Sequence, residues 1–233
     1  ESAEGYGSAP GNDKVFKYSC SYEAEAIDYF IANGGTKDGP IDGGVAIFAA
    51  GNSAAPLPAY PAAYEPCIAV AAFSPSLRPA YYSDYGIGID VVAPGGESLL
   101  YYNGSIISTV PPLPSSGALY AGMQGTSMAC PMVSGVAALG LSYAKQLGKR
   151  YTAKEFRSLL LSSTNEPYLK GAISYVDENG RQHRVNYENY KGKLGAGYID
   201  AYKLLLQIEG TPCKVVKVGE TTEIELRSYF GEG

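Results

Sequence analysis

Three short runs with almost no polar interruption constrain the fold of this chain more than any other feature. They are Val45-Ala46-Ile47-Phe48-Ala49-Ala50, Cys67-Ile68-Ala69-Val70-Ala71-Ala72-Phe73 and Ile89-Asp90-Val91-Val92-Ala93. A strand with one face in water alternates apolar and polar residues. A strand apolar at successive positions is buried on both faces, as in a parallel sheet between two helical layers. Helical patterns surround these runs. Glu23, Ala24, Ala26, Ile27, Phe30 and Ile31 follow a 3.6-residue period from about Ser21, and Gly34-Gly35 supplies a stop. A small-residue helix runs from about Ser127 to Ala144, and Thr152-Ala153-Lys154-Glu155 is a capping box opening a helix through Leu161. Asp200 is placed to cap a last helix over Ala201–Ile208. The pattern is that of an α/β protein.

The remaining segments read as connections. Residues 1–19, rich in Gly, Ser, Pro and Asn, read as loop, as does the stretch around Pro111-Pro112-Leu113-Pro114 and Ser115-Ser116-Gly117. Residues 165–193 are polar and tyrosine-rich, and Glu178-Asn179-Gly180 suggests a hairpin. Beyond Gly210, the pattern of Val215/Val216/Val218 and Thr222/Ile224/Leu226 suggests strands of something new. The expected organisation is therefore one domain over 1–210, then a linker and the start of an appended β element over 211–233.

Composition excludes several functions. A net charge of −5 argues against a nucleic-acid binder, which would need clustered Lys and Arg. No unbroken apolar run reaches the roughly 20 residues needed to cross a bilayer, so no membrane span is expected. The first residues have neither the basic nor the apolar region of a signal peptide. Four cysteines without a CxxC pair, and a single histidine, give no metal-binding pattern. Cys130 reads as a small apolar residue of the helix, and the disulfide state of Cys20, Cys67 and Cys213 is open.

Two short segments carry candidate chemistry. In Gly125-Thr126-Ser127-Met128-Ala129-Cys130-Pro131, a glycine turn delivers a serine to a helix N-terminus, where unpaired N–H groups and the helix dipole favour a developing anion. Serine is also a common helix cap whatever the protein does. In Ala49-Ala50-Gly51-Asn52-Ser53 a buried strand ends on an asparagine, at the strand edge where α/β folds bind ligands. Alone, that asparagine reads first as a turn residue.

Together the segments resemble a known family. Gly125–Leu139 closely resembles the nucleophile motif of the subtilisin-like serine proteases, the subtilases, and Ala50-Gly51-Asn52 resembles their oxyanion segment. Tyr60-Pro61-Ala62, Ile68-Ala69-Val70-Ala71, Tyr82-Ser83-Asp84-Tyr85-Gly86, Val92-Ala93-Pro94-Gly95 and Gly195-Ala196-Gly197-Tyr198-Ile199-Asp200-Ala201 follow in the family's order. The resemblance covers about residues 21–210. It implies a subtilisin-like three-layer α/β/α fold with a mostly parallel central sheet, lacking its N-terminal part. It implies a serine endopeptidase acting on a polypeptide substrate through an acyl-enzyme on Ser127, with an Asn52 oxyanion hole and a substrate pocket lined by Ala49, Ala50 and Gly51. It also implies a secreted or cell-envelope location. No cofactor is expected; calcium is allowed by the resemblance, with no site identified.

The chain departs from the family where the base should be. Subtilase triads run Asp, His, Ser along the sequence. The residues before Asn52 contain no histidine, and no Asp-Ser/Thr-Gly or His-Gly-Thr motif. His183, the only histidine, lies downstream in the polar excursion and reads as a surface residue. A serine without a base is a poor nucleophile, so this chain alone is expected to be inactive. Three explanations stay open. The first and preferred one is a serine-bearing half that needs an Asp/His half, in cis or as a separate chain. The others are a non-catalytic binding or structural module on the same fold, and a base recruited from a partner. A sheet missing its leading strands exposes an apolar edge, so self-association of the isolated chain is also expected. Met132 stands where the family commonly has a non-catalytic histidine. An α/β-hydrolase esterase is disfavoured, because Gly125-Thr126-Ser127-Met128-Ala129 lacks the last glycine of a nucleophile elbow.

Overall fold

In chain order the elements are α1 (Asp13–Ser19), α2 (Ser21–Asn33), β1 (Ile41–Asp42), β2 (Ile47–Ala49), β3 (Ile68–Phe73), β4 (Val91–Pro94), β5 (Ile106–Thr109), β6 (Tyr120–Met123), α3 (Thr126–Gln146), β7 (Tyr151–Thr152), α4 (Ala153–Ser162), β8 (Thr164–Asn165), β9 (Ala172–Val176), β10 (Gln182–Asn186), β11 (Tyr198–Ile199) and α5 (Ala201–Glu209). This computed structural model describes residues 12–112, 117–176 and 180–210. The element expected over 211–233 lies outside the described residues.

The three apolar runs become β2, β3 and β4, adjacent and parallel in a five-stranded sheet of order β2-β3-β4-β11-β8. β11 continues the parallel set beside β4, and only β8 is antiparallel. Burial of β3 on both faces sorts its side chains. Ile68, Val70 and Ala72 join Val91 and Ala93 against Ala129, Val133 and Ala137 of α3, with Phe156 and Leu160 of α4 and Leu204 and Ile208 of α5. Ala69, Ala71 and Val92 face the other way, onto Ala50, Ala62, Tyr190 and Leu194. The fold is thus a subtilisin-like α/β arrangement with a mostly parallel sheet.

α3 is long and apolar enough, by length and composition, to cross a membrane. Its place is central, with Ala129, Val133, Ala137, Gly140 and Ala144 buried. A β-carbon at Gly140 would lie 2.7 Å from Leu204 Cδ2, so glycine lets α5 approach. The opposite side of α3 is less covered, with Met132 and Leu139 exposed.

α1 corrects the sequence reading of 1–19 as loop, since residues 13–19 are helical. Asn12 caps the helix by accepting from Val15 N–H at 3.1 Å. A helix this short does not hold by itself. Its anchor is Phe16, buried against the rings of Tyr60 and Tyr64 at 4.8 and 5.3 Å. The Tyr60 hydroxyl also donates to Asp13 at 2.7 Å. Those partners arrive more than 40 residues later, so no local pattern announced the helix.

Two hairpins flank the sheet. β5 pairs with β6 in a segment the sequence left irregular. β9 pairs with β10 where a hairpin was expected. The capping box at Thr152 and Glu155 and the Asp200 cap, which accepts from Lys203 N–H, both form.

If Phe16 is the anchor of α1, Phe16→Ala should cost about 3–5 kcal/mol, and Asn12→Ala about 1 kcal/mol. Urea midpoints of the two variants check this. A loss at Phe16 no larger than that at Asn12 would contradict the assignment.

Candidate active site

The site forms where the C-terminal end of β2 meets the N-terminus of α3, joining segments 75 residues apart in sequence. Thr126 makes the join. Its N–H donates to Asn52 Oδ1 at 2.8 Å and its hydroxyl donates to the same oxygen at 3.0 Å. The hydroxyl in turn accepts from Gly51 N–H at 3.2 Å. Thr126 is fully buried, so these bonds are shielded from competing water. They also decide the orientation of the Asn52 amide. A backbone N–H can only donate, so the atom facing it must be the oxygen, and the Asn52 NH₂ points elsewhere.

Helix geometry supplies a second donor. The N–H of Thr126 is taken by Asn52, and those of Met128 and Ala129 bond to Gly125 O at 3.0 and 3.3 Å. Between them, neither the N–H nor the hydroxyl of Ser127 has a hydrogen-bond partner among the described residues. Ser127 and Asn52 are both exposed. The position a β-carbon would take on Gly125 marks how closely the two donors converge. It lies 3.5 Å from Asn52 Nδ2, 3.6 Å from Asn52 Oδ1 and 3.7 Å from Ser127 N. Gly125 has φ +147°, a conformation side-chain-bearing residues avoid, and its lack of a side chain keeps that space open.

Asp84 holds the Asn52 loop from below. Its Oδ1 accepts from Ser53 and Ala55 N–H, both at 2.8 Å, and its own N–H donates to Gly51 O at 3.0 Å. Burial raises the Asp84 carboxyl above its ordinary value, against the pull of the two N–H groups. A β-carbon at Gly51 would run into this carboxylate, so the residue between Ala50 and Asn52 must be glycine. Of the expected pocket residues, Ala50 is fully buried with its side chain in the core, while Ala49 and Gly51 are partly exposed.

Sequence reasoning did not find the strap on the far side of the Gly125 turn. Gln124 Oε1 accepts from Ser98 N–H at 2.6 Å and from its hydroxyl at 3.0 Å, while Gln124 Nε2 donates to the Tyr81 hydroxyl at 3.3 Å. Gly125 N–H is shared between Gly95 O at 2.9 Å and the Tyr82 hydroxyl at 3.0 Å. Next to this strap lies Glu97, buried and with Oε1 unpartnered. Burial pushes its carboxyl up to about 7, opposed by a bond from the Tyr81 backbone.

His183 lies on β10, exposed and stacked on Tyr175 at 4.9 Å. Tyr175 in turn packs on Tyr81 at 5.2 Å. Among the described residues no group of three or more His, Cys, Asp or Glu side chains is placed to hold a metal ion. Asp90, the acidic residue of the third apolar run, is occupied by Arg157 at 2.7 Å and by Ala69 N–H at 2.9 Å.

A parallel sheet between helical layers, with a Gly-Thr-Ser turn opening the central helix beside a strand-end Gly-Asn, defines a subtilisin-like α/β protein. The model of the Subtilase family matches residues 3–197, and the chain belongs to that family. It is 36% identical to thermitase from Thermoactinomyces vulgaris over 132 residues, covering 57% of this chain and 43% of that protein. It is 38% identical over 132 residues to a thermophilic serine proteinase from Bacillus sp. strain AK1, covering 57% of the chain and 30% of the relative. The chain thus spans less than half the length of these relatives. Among solved structures, the prenylagaramide maturation protease PagA superposes with a TM-score of 0.57 at 21% identity, over 88% of this chain and 59% of that one, a likeness of fold.

The raised carboxyl of Glu97 makes a pH prediction. Between about 4.5 and about 7 the folded protein holds a proton that the unfolded chain has lost, so stability falls as pH rises through that window. Glu97→Gln should remove this fall and stabilise the protein at pH 8 by about 3 kcal/mol, with no gain at pH 4. Urea midpoints at the two pH values decide it, and an equal shift at both would refute it.

Proposed function

We propose that this chain is the serine-bearing part, over residues 1–210, of a subtilisin-like endopeptidase, with Ser127 as nucleophile. The family is that of serine peptidases. The observation that carries the reading is the juxtaposition of Asn52 Nδ2 and the uncommitted Ser127 N–H, both within 3.7 Å of the position a Gly125 β-carbon would take. A peptide carbonyl seated there would receive two hydrogen bonds as its oxygen becomes an oxyanion, and these strengthen as charge develops. Ser127 would attack the carbonyl carbon while a general base takes its proton. The adjacent ends of β2, at Ala49 and Gly51, would border the bound residue before the scissile bond. By family resemblance, such an enzyme would act outside the cell or in its envelope.

No base accompanies Ser127 among the described residues, and competence requires an Asp/His segment from outside this chain, in cis or as a separate chain. Two features support a docking place for it. β2 is the edge strand of the sheet, with β3 as its neighbour in the sheet. Beside that edge lies an open groove of about 660 Å³ lined by Ile27 and Phe30 of α2, Val45 and Ile47, and Ala138 and Leu141 of α3. Apolar faces of this kind, left uncovered, invite association. The alternative of a non-catalytic module on the same fold would leave the Asn52 and Ser127 donors without a task.

A fluorophosphonate probe tests the reading. The polypeptide carrying the Asp/His segment should label at Ser127, and Ser127→Ala should abolish labelling. Asn52→Ala should lower kcat about 10²–10³-fold, the cost measured for an oxyanion asparagine in subtilisin itself. An intact polypeptide that leaves Ser127 unlabelled would eliminate the protease reading in favour of the binding module. The isolated chain should give little labelling, and light scattering should find it self-associated. A stable monomer would contradict the exposed-edge argument.

A further inference from the structure

We propose that Tyr82 is a positioning residue for the nucleophile turn, its buried hydroxyl bridging the N–H of Gly125 and the carbonyl of Gly96. This rests on the nucleophilic role of Ser127 proposed above. The hydroxyl accepts from Gly125 N–H at 3.0 Å and donates its single proton to Gly96 O at 2.6 Å. Tyr82 is 7% exposed. Both lone-pair and proton directions of the oxygen are therefore committed, which fixes the phenol in one orientation. Burial raises the phenol above its ordinary value, so it stays protonated and able to donate throughout the working range of a protein.

The position of this bridge gives it leverage. Gly125 carries no side chain and sits at φ +147°, so at this residue only backbone groups can help hold the turn that presents Ser127. Its N–H is shared between Gly95 O and the Tyr82 hydroxyl, and a β-carbon at Gly95 would lie 2.8 Å from both Tyr82 Oη and Gly125 O. Three backbone segments therefore meet around one phenol oxygen: the β4 end at Gly95-Gly96, the Tyr82 segment and the turn before α3. Phenylalanine at 82 would keep the ring and its edge-on contact with Tyr81 at 5.3 Å. It would leave Gly96 O unpartnered and Gly125 N–H with Gly95 alone. The turn could then shift by fractions of an ångström. Displacements of about 1 Å in a catalytic group can cost about a hundredfold in rate.

The substitution Tyr82→Phe also removes a buried hydrogen bond, and its stability cost must be separated from its effect on the turn. Tyr198 supplies the control. It is equally buried and its hydroxyl also donates to one carbonyl, Leu77 O, at 2.6 Å. That carbonyl belongs to the turn at 74–77, not to the nucleophile turn. In the polypeptide that carries the Asp/His segment, Tyr82→Phe should lower kcat and the rate of fluorophosphonate labelling about tenfold, with KM within twofold. Tyr198→Phe should lower Tm by a similar amount and leave kcat unchanged. In the same polypeptide, hydrogen exchange at the Gly125 amide should rise about tenfold in Tyr82→Phe and not in Tyr198→Phe. A kcat for Tyr82→Phe within twofold of the parent, or an equal loss in Tyr198→Phe, would overturn the proposal. If the parent polypeptide neither hydrolyses peptides nor labels at Ser127, the protease reading fails on its own. The Gly125 exchange then decides the bridge, an unchanged rate overturning it.

Discussion

The structure depends on a clasp between Thr126 and the Gly51-Asn52 pair. Its three hydrogen bonds tie the end of β2 to the start of α3, and they place two different kinds of donor side by side. The Thr126 hydroxyl has one proton and gives it to Asn52, so it can accept from Gly51 and nothing in the set competes. Replacing the threonine by serine would keep the hydroxyl but lose the methyl that fixes its rotamer. The clasp also converts a flexible asparagine into a directed one. With Oδ1 committed to Thr126, the NH₂ has one direction left.

Rigid carriers surround this clasp because neither loop could hold its shape alone. On the β2 side the carrier is Asp84, a buried carboxylate that accepts the N–H groups of Ser53 and Ala55 on either side of Ala54. Buried charge is expensive unless hydrogen-bonded, and here the bonds that stabilise it are also those that shape the Asn52 loop. On the α3 side the carrier is the strap of Gly95, Gly96 and Ser98, tied to Gln124 and Gly125. Glycine is needed at Gly51 and Gly125 for different reasons. The first must admit a carboxylate against its Cα, and the second takes φ +147°, a conformation side-chain-bearing residues avoid.

How much of this could be read from the chain follows the range of each interaction. The buried strands, α3, the Thr152 capping box and the Asp200 cap were legible, because each rests on residues within a few positions of one another. Ser127 and Asn52 were legible as a pair only through resemblance, since either segment alone has a plain structural meaning. α1 was not legible: its single inward apolar residue, Phe16, is held by Tyr60 and Tyr64. Nor was the strap, in which Tyr82 and Gln124 act through backbone groups whose identity no side-chain pattern encodes. Glu97 is similar, since nothing local marks a glutamate as buried and unpaired.

β2 joins the candidate site to the sheet edge. Its C-terminal end carries Gly51 and Asn52 into the site, and among the described residues it is one of the two edge strands of the sheet. At three residues it is too short for these to be independent. A strand added along that edge would run beside Ile47–Ala49 and end next to Asn52, while covering the apolar groove between α2 and α3. On the reading proposed above, completing the sheet and completing the catalytic site are then one event. Burial of the groove would supply the driving force for association, and the register of the new strand against β2 would set where its own residues lie relative to Ser127. A one-residue slip would turn every side chain of that strand to the other face, so the apolar pattern of the groove would itself enforce the alignment that catalysis needs.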